Sequence, residues 1–319
     1  MSILIQQPGI LTTMQDLGRF GYRRLGINPG GAMDRQAVRL INGLLQNEEN
    51  AAVLEMHFPA ARVLFEEPCL FAIGGADLSP LLDGETITNW RSIRAEKGSD
   101  LRFVARSMGN RAYLAVAGGF TGDEWLGSSS TNLVAKVGGV GGRKLATGDR
   151  VHFRDRVESI SAQDSIVSTS MIPRYGHFPT VRVTIGPEYR CLDQQSMEQF
   201  GSATFKISNN SSRMGFRLNG PGLGSIAPIN MISSAVDMGT IQLLPDGQMI
   251  VLMADHQTTG GYPRIANVID RDMSVFAQLG SGDKVAFHLI EHAESEYLNA
   301  KFERNMSTFL AGCRLAGAA

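Results

Sequence analysis

The sequence predicts a mainly β protein (α+β) made of two related β-barrel-like halves with a few helices. Three observations carry this. Glycine is abundant, 36 of 319 residues, while long helical patterns are few, a balance typical of short strands joined by turns. Short runs with alternating apolar residues recur along the chain. A signature of Gly-x-x-apolar-x-Phe appears at 98–103, 148–153 and 282–287, each reading as a turn that feeds a strand with two distinct faces.

The strand-like runs come in order at 62–65, 101–104, 112–116, 151–153, 181–185, 240–244, 249–253 and 284–289. Two helices stand out between them. Asp34 is placed to N-cap a helix over 34–46, in which Ala37, Val38, Ile41, Leu44 and Leu45 keep helical spacing. Near the C-terminus Leu298, Phe302, Phe309 and Leu310 form one stripe, with Gly312 as the expected stop. Gly18-Arg19-Phe20-Gly21-Tyr22-Arg23 also resembles Ser212-Arg213-Met214-Gly215-Phe216-Arg217. The segment 155–179, rich in Ser, polar residues and Pro, reads as a linker. The expected domains are therefore 1–160, with the helix 34–46, and 175–319, with the C-terminal helix.

Composition limits the function classes. Apolar residues make up 43% of the chain and the net charge is −1, so the chain can bury a core and shows no electrostatic footprint for nucleic acid or an anionic membrane. Cys69, Cys191 and Cys313 are scattered and odd in number, which gives no disulfide framework and no zinc spacing. Residues 1–11 have no basic region followed by an apolar stretch, and no segment has membrane-spanning length. A cytoplasmic protein is expected.

The most informative run is Asp255-His256-Gln257-Thr258-Thr259-Gly260-Gly261-Tyr262-Pro263-Arg264, which follows a strand. Glycines admit close backbone approach, and Gln and Thr hydrogen-bond without fixed charge. A tight β-turn and a ligand loop are both open on these residues. Asp16 and Arg19, three apart beside Gly18, could hold a small anion and position a base, or form a plain surface ion pair. Ser128 lies in the hydroxyl-rich run Gly127–Thr131, and no Gly-x-Ser-x-Gly elbow is present for a serine nucleophile. Gly138-Gly139-Val140-Gly141-Gly142-Arg143-Lys144-Leu145 mimics a phosphate loop but fails the Walker pattern. A glycine loop around Gly141 and Arg143 that faces a ligand remains open. His288-Leu289-Ile290-Glu291-His292 matches a zinc pattern but lacks the single helix the pattern needs, so no metal is expected. Arg213 and Arg217 would share a strand face, and a planar guanidinium suits a carboxylate.

Taken together, the stretches 13–21, 26–34, 42–55, 111–119, 127–131, 138–143, 186–189, 213–220, 239–243 and 257–266 resemble the biotin-dependent carboxyltransferase, or allophanate hydrolase subunit 2, family. The family includes KipA-like proteins and the C subunit of bacterial 5-oxoprolinase. Gln-Thr-Thr-Gly-Gly-Tyr-Pro is the most specific piece. The sequence departs at Gly30, where a small Ser or Cys is often found, and at Met249, which replaces a Pro.

The resemblance implies cyclophilin-like barrels and a partner, a KipI-like B subunit (allophanate hydrolase subunit 1). A LamB/YcsF-like A subunit completes 5-oxoprolinase, an amide or lactam hydrolase active as a complex. ATP is used by that complex to open 5-oxoproline to glutamate, and no cofactor is bound by this chain alone. On this reading Arg19 and Arg213 recognise an anion. Gln257, Thr258, Thr259, Gly260, Gly261 and Tyr262 bind substrate. Asp16 and Asp34 are candidate general bases, Asp34 being a helix cap in the alternative. Ser128, Gly141 and Arg143 lie on loops facing the site. Two rival readings stay open. One is the carboxyltransferase component of a biotin-dependent urea or amide carboxylase. No Met-Lys-Met biotinylation site is present, so biotin would arrive on another protein and lie along 138–142 and 258–262. The other is a KipA-type regulator that binds a KipI-like kinase inhibitor.

Overall fold

The computed structural model describes residues 1–154, 165–226 and 231–318. It is mainly β, with four α-helices among the described residues. Two compact units partition the chain: residues 1–19, 30–174 and 304–319 form the first, and 20–29 with 175–303 form the second. The units are not the contiguous halves expected from the sequence, and long-range contacts account for both differences. Arg23 pairs with Asp237 at 2.8 Å, which assigns 20–29 to the second unit. Leu310 and Phe309 pack where a Cβ on Gly43 would stand, and Gln46 donates to the Cys313 carbonyl at 2.9 Å, which assigns the end of the chain to the first.

The first unit holds a seven-stranded sheet and a five-stranded sheet. Strands Ser2–Gln7, Arg62–Phe65, Asp100–Phe103 and Arg150–Phe153 lie in the larger one. Thr12–Gln15, Val53–His57, Met108–Val116 and Cys69–Asp77 lie in the smaller. Cys69–Asp77 is buried along all but its last residue, as an apolar run covered on both faces should be. Ile3, Ile5, Leu54, Val63, Phe65, Phe71 and Leu114 meet in the core. The helix Arg35–Leu44 packs on Cys69–Asp77 and Met108–Val116.

The second unit is a closed barrel of seven strands. Thr180–Ile185 closes it by pairing in parallel with Lys284–Leu289, Val181 opposite Phe287. Phe200 stacks on Phe287 at 5.2 Å, and Phe216 meets Phe276 at 5.6 Å. The first unit, by contrast, is two sheets rather than one closed barrel.

The strand runs read from the sequence are strands here, and the recurring glycine signature has one geometry at all three places. Gly98, Gly148 and Gly282 have φ of +88°, +90° and +88°. Their N–H groups donate to the Phe65, Ile5 and Ile207 carbonyls at 2.7, 2.8 and 3.0 Å, and the next residue's carbonyl accepts from the same strand residue. A Cβ would meet nothing within 4 Å at Gly98 and Gly148, and at Gly282 only Lys206 Cε at 3.9 Å, an ordinary contact. The left-handed backbone alone therefore demands glycine. Gly98→Ala, Gly148→Ala and Gly282→Ala should each lower unfolding free energy by about 1–2 kcal/mol, measured by urea titration, with the folded structure unchanged.

Other expectations need correction. Gly18–Arg23 and Ser212–Arg217 are not equivalent: the first is a loop ending in a short 3-10 turn, and the second runs into the strand Gly215–Asn219. Residues 155–164 of the expected linker lie outside the described residues. Next to them, 165–167 is bound to the first unit: Ser92 N–H donates to Ser165 O at 2.9 Å, and Val167 N–H to Trp90 O at 2.8 Å. The last helix, His292–Ala318, runs through Gly312. Packing on the helix Arg35–Leu44 offsets the roughly 1 kcal/mol that a helical glycine costs. His288 ends a strand and His292 begins that helix, and among the described residues no group of side chains could hold a metal ion. No helix among them is long and apolar enough to cross a membrane. All three cysteines are free, and burial pushes their thiols up, Cys69 to about 12.

Candidate functional site

Asp16 organises the site in the first unit. It follows the strand Thr12–Gln15, whose pairing with Val53–His57 fixes its position. Its carboxylate is buried and meets the serine run 112 to 114 positions away. Oδ1 accepts from Ser128 Oγ at 2.7 Å, Ser130 Oγ at 2.5 Å and Gly18 N–H at 2.7 Å, and Oδ2 accepts from Ser129 N–H at 2.7 Å. Three donors converge on Oδ1 and one on Oδ2, so the carboxylate ties the Gly127–Thr131 run to the end of the strand Thr12–Gln15, and Ser128 belongs to the same knot. This loop-fixing role, not the general-base role, is what the hydrogen bonds support.

Arg19 is 1% exposed. Its guanidinium lies 5.2 Å from the Trp125 ring centroid, and Nη2 donates to the Ser130 carbonyl. It is buried against its own unit's loops instead of open to an anion, the role the sequence suggested. Asp34 is wholly buried and caps the helix Arg35–Leu44, Oδ1 accepting from Ala37 N–H at 3.0 Å. Its own N–H donates to Tyr113 Oη at 2.8 Å, and that hydroxyl donates to Glu55 at 2.8 Å. The cap, not the base, is what the structure supports. Burial, Glu55 and Asp34 together hold the Tyr113 hydroxyl well above the usual tyrosine range.

The glycine loop is packed, not open. A Cβ on Gly138, Gly139 or Gly142 would overlap Ser130 O, Thr131 Oγ1 or Lys136 C respectively. The Gly139, Gly141 and Gly142 N–H groups donate to Asp123 O, Asp123 Oδ2 and Gly138 O at 2.9–3.0 Å. With those N–H groups engaged there is no anion cradle. Arg143 pairs bidentately with Asp149 at 2.7 and 2.8 Å on the surface. Asp123 N–H returns to Gly139 O at 2.7 Å, which closes the loop on itself.

Beside the Asp16 knot lies a cavity of about 660 Å³, within the usual range for small-ligand sites. Ser129, Gly118, Gly119, Asn50, Glu124 and Arg154 contribute to its wall.

The second unit carries the Gln257–Tyr262 run. Thr259–Gly260 forms a two-stranded ribbon with Ser234–Ala235. Gln257, Thr259 and Tyr262 are exposed, Thr258 and Gly261 half-buried, and Gly260 buried. A Cβ on Gly260 would come within 2.5 Å of Gln242 Nε2. Gln242 is 1% exposed, accepts from Gln257 Nε2 at 3.5 Å and donates to Tyr262 O at 3.4 Å. Arg213 pairs with Asp255 through Nε–Oδ2 at 2.8 Å and Nη2–Oδ1 at 3.1 Å, and Asp255 N–H donates to Arg213 O at 2.8 Å. Arg213 therefore anchors the start of the run instead of a ligand. Its expected anion role is corrected by this buried pair.

Three residues not singled out in the sequence complete this region. His256 is 1% exposed, its Nδ1 donates to Gln257 O at 2.5 Å, and its Nε2 lies 3.6 Å from Asp237. Arg23 reaches Asp237 at 2.8 Å and Val236 O. Burial raises the Asp237 carboxyl, but the His256 ring, the Met238 N–H and Arg23 outweigh it and hold it at about 2. A depressed carboxyl stabilises the fold above its unfolded value of 3.8 and loses that contribution as pH falls through the folded value. An NMR titration should place the Asp237 midpoint near 2, with the stabilisation fading from about pH 4 downward. The side chain is 65% exposed, so the stability change should be small. In the sequence only the buried polar Gln242 inside an apolar strand offered a signal, because the partners of His256 and Arg23 are distant.

The likeness to known proteins runs along nearly the whole chain. Residues 25–289 match the carboxyltransferase domain, subdomains A and B. The 5-oxoprolinase C subunit of Haemophilus influenzae is 36% identical over 292 residues, covering 91% of this chain and 92% of that protein. The 5-oxoprolinase C subunit of Escherichia coli is 37% identical over 302 residues, covering 93% of each. The solved urea carboxylase of Kluyveromyces lactis superposes with a TM-score of 0.90 at 27% identity over 97% of this chain, which spans 29% of that one.

Proposed function

Because this chain belongs to the carboxyltransferase-domain family of subdomains A and B, we propose that it is the C subunit of an ATP-dependent 5-oxoprolinase. The observation that carries the reading is 36–37% identity to two proteins of that name across more than 90% of both chains. The partners are a KipI-like B subunit and a LamB/YcsF-like A subunit, and the complex works in the cytoplasm.

A lactam resists hydrolysis because resonance protects its carbonyl. Transfer of a phosphoryl group from ATP to the lactam oxygen makes the carbon electrophilic. Water then adds at that carbon, the ring C–N bond breaks as the nitrogen takes a proton, and a second water cleaves the resulting acyl phosphate to glutamate and phosphate. ATP is held outside this chain. Three carboxylates line the cavity of the first unit (Asp16, Glu48 and Glu124), and its glycine loop has no free N–H cradle, so neither suits a triphosphate. This chain holds the substrate. The exposed Gln257 amide and Thr259 hydroxyl, on a ribbon fixed by Gln242 and Asp255, are donors for a carbonyl whose charge grows during attack.

Carboxyl transfer from carboxybiotin is the second reading, favoured by the superposition on urea carboxylase. In the loop 138–142, Gly138, Gly139 and Gly142 admit atoms of their own unit, and Gly141 alone among the loop's glycines has open space beside it. No step is assigned to biotin.

Co-expression with the two partner subunits and an assay of glutamate release test the reading. ATP-dependent release from 5-oxoproline is expected. A folded, complete complex that releases none overturns it.

A further inference from the structure

We propose that the Thr258 backbone N–H is a donor to the reacting oxygen of the substrate, and that the buried His256 is the positioning residue that fixes its direction. The proposal rests on the 5-oxoprolinase reading for naming that substrate as 5-oxoproline. Every residue it uses belongs to the second unit.

The His256 ring is locked at both nitrogens. It is 1% exposed, and its backbone N–H donates to Met253 O at 3.0 Å. Nδ1 lies 2.5 Å from Gln257 O, and a carbonyl can only accept, so Nδ1 carries a proton. Nε2 faces Asp237 Oδ1 at 3.6 Å. Asp237 is held in turn by Arg23 at 2.8 Å and by the Met238 N–H, which donates to Oδ1 at 2.8 Å.

This lock sets the plane of the next peptide. The Gln257–Thr258 bond is trans, and in a planar trans peptide the C=O and N–H point in opposite directions. With Gln257 O turned onto the His256 ring, the Thr258 N–H points away from it. Among the described residues no group accepts from that N–H, whereas other N–H groups of the run are taken. Asp255 donates to Arg213 O, His256 to Met253 O, and Arg264 to Glu188.

The carbonyls of the run turn to their own unit as well. Thr258 O accepts from Val236 N–H at 3.2 Å, Gly261 O from Met231 N–H at 3.0 Å, and Pro263 O from Leu243 N–H at 3.0 Å. What the run keeps for a ligand is therefore a backbone donor. Thr258 is half-buried between the exposed Gln257 and Thr259, the two side-chain donors named above. A backbone N–H fixed beforehand loses no rotamer freedom when it meets the substrate, unlike the Gln257 amide. Such a preset dipole is the condition for stabilising charge that grows on an oxygen of the reacting carbon.

The test compares His256→Ala, His256→Asn and His256→Gln in the complete complex. The Asn amide nitrogen can stand where Nδ1 stands, and the Gln amide nitrogen where Nε2 stands. His256→Ala should lower kcat for 5-oxoproline by roughly 10- to 100-fold with KM little changed, short of the 10²–10³ lost with a whole oxyanion donor. His256→Asn should recover most of the loss and His256→Gln little of it, at similar urea midpoints. An unchanged kcat in His256→Ala, or equal kcat in His256→Asn and His256→Gln, overturns the proposal. If the wild-type complex does not act on 5-oxoproline, the functional reading fails and NMR on the full chain decides the donor. A Thr258 N–H that exchanges without protection, and whose resonance shifts with added 5-oxoproline in the wild type but not in His256→Ala, upholds it. A protected Thr258 N–H, no shift, or the same shift in both proteins overturns it.

Discussion

Replacing Asp16 with alanine should destabilise the first unit by about 3 kcal/mol or more and abolish activity of the assembled enzyme. The buried carboxylate accepts from Ser128, Ser129, Ser130 and Gly18, all within 2.5–2.7 Å. Removing it leaves two buried hydroxyls and two N–H groups to find acceptors, and each hydrogen bond to a charged group contributes about 1.5–3 kcal/mol. The contributions are not additive, because the loop can relax toward water, so the total stays well below their sum. Ser128→Ala removes one donor to Asp16 and the acceptor of the Ser130 N–H, and should cost less than Asp16→Ala, about 1–2 kcal/mol. Urea unfolding of the two variants and the wild type measures the difference, and proteolysis should then cut faster within 126–131. Activity follows stability here because Ser129 and Gly127 form a wall of the cavity. If Asp16→Ala loses under about 1 kcal/mol yet loses all activity, Asp16 acts in the chemistry and not in the loop.

Arg213→Ala should destabilise the second unit by about 3–5 kcal/mol, the range for removing one partner of a buried pair. Arg213 is 8% exposed and Asp255 15%, so neither charge is well hydrated once its partner is gone. Asp255→Ala should cost a similar amount, and the double variant less than the sum of the two. Chemical denaturation of all three variants gives the coupling. The loss should also loosen the Gln257 run, since Asp255 is its first residue, seen as weaker amide protection over 255–262. A stable Arg213→Ala protein with only a raised KM would restore Arg213 as a ligand anchor.

Much of the fold was legible because its signals are local. Alternation fixed strands such as Arg62–Phe65 and Lys284–Leu289, and Asp34 with its helical spacing fixed the helix Arg35–Leu44. Local signals failed where a distant contact prevailed. Gly312 read as a stop, but packing on a helix far away in sequence carries the last helix through it. Gly18–Arg23 looked like Ser212–Arg217, yet only the second has strand partners, so the likeness stayed in the letters.

For the site, the residue types alone marked Asp16, the Gly127–Thr131 run, Gly118-Gly119 and the Gln257–Tyr262 run as the places to look, and the family resemblance followed from their order. Three-dimensional packing settled which of their groups are open to a ligand. Asp16, Arg19, Asp34 and Arg213 are charged residues whose partners sit inside their own units, up to 114 positions away in the chain. A buried charge must find its counter-charge or hydrogen bonds in three dimensions, and that pairing separates a structural side chain from one left for a ligand.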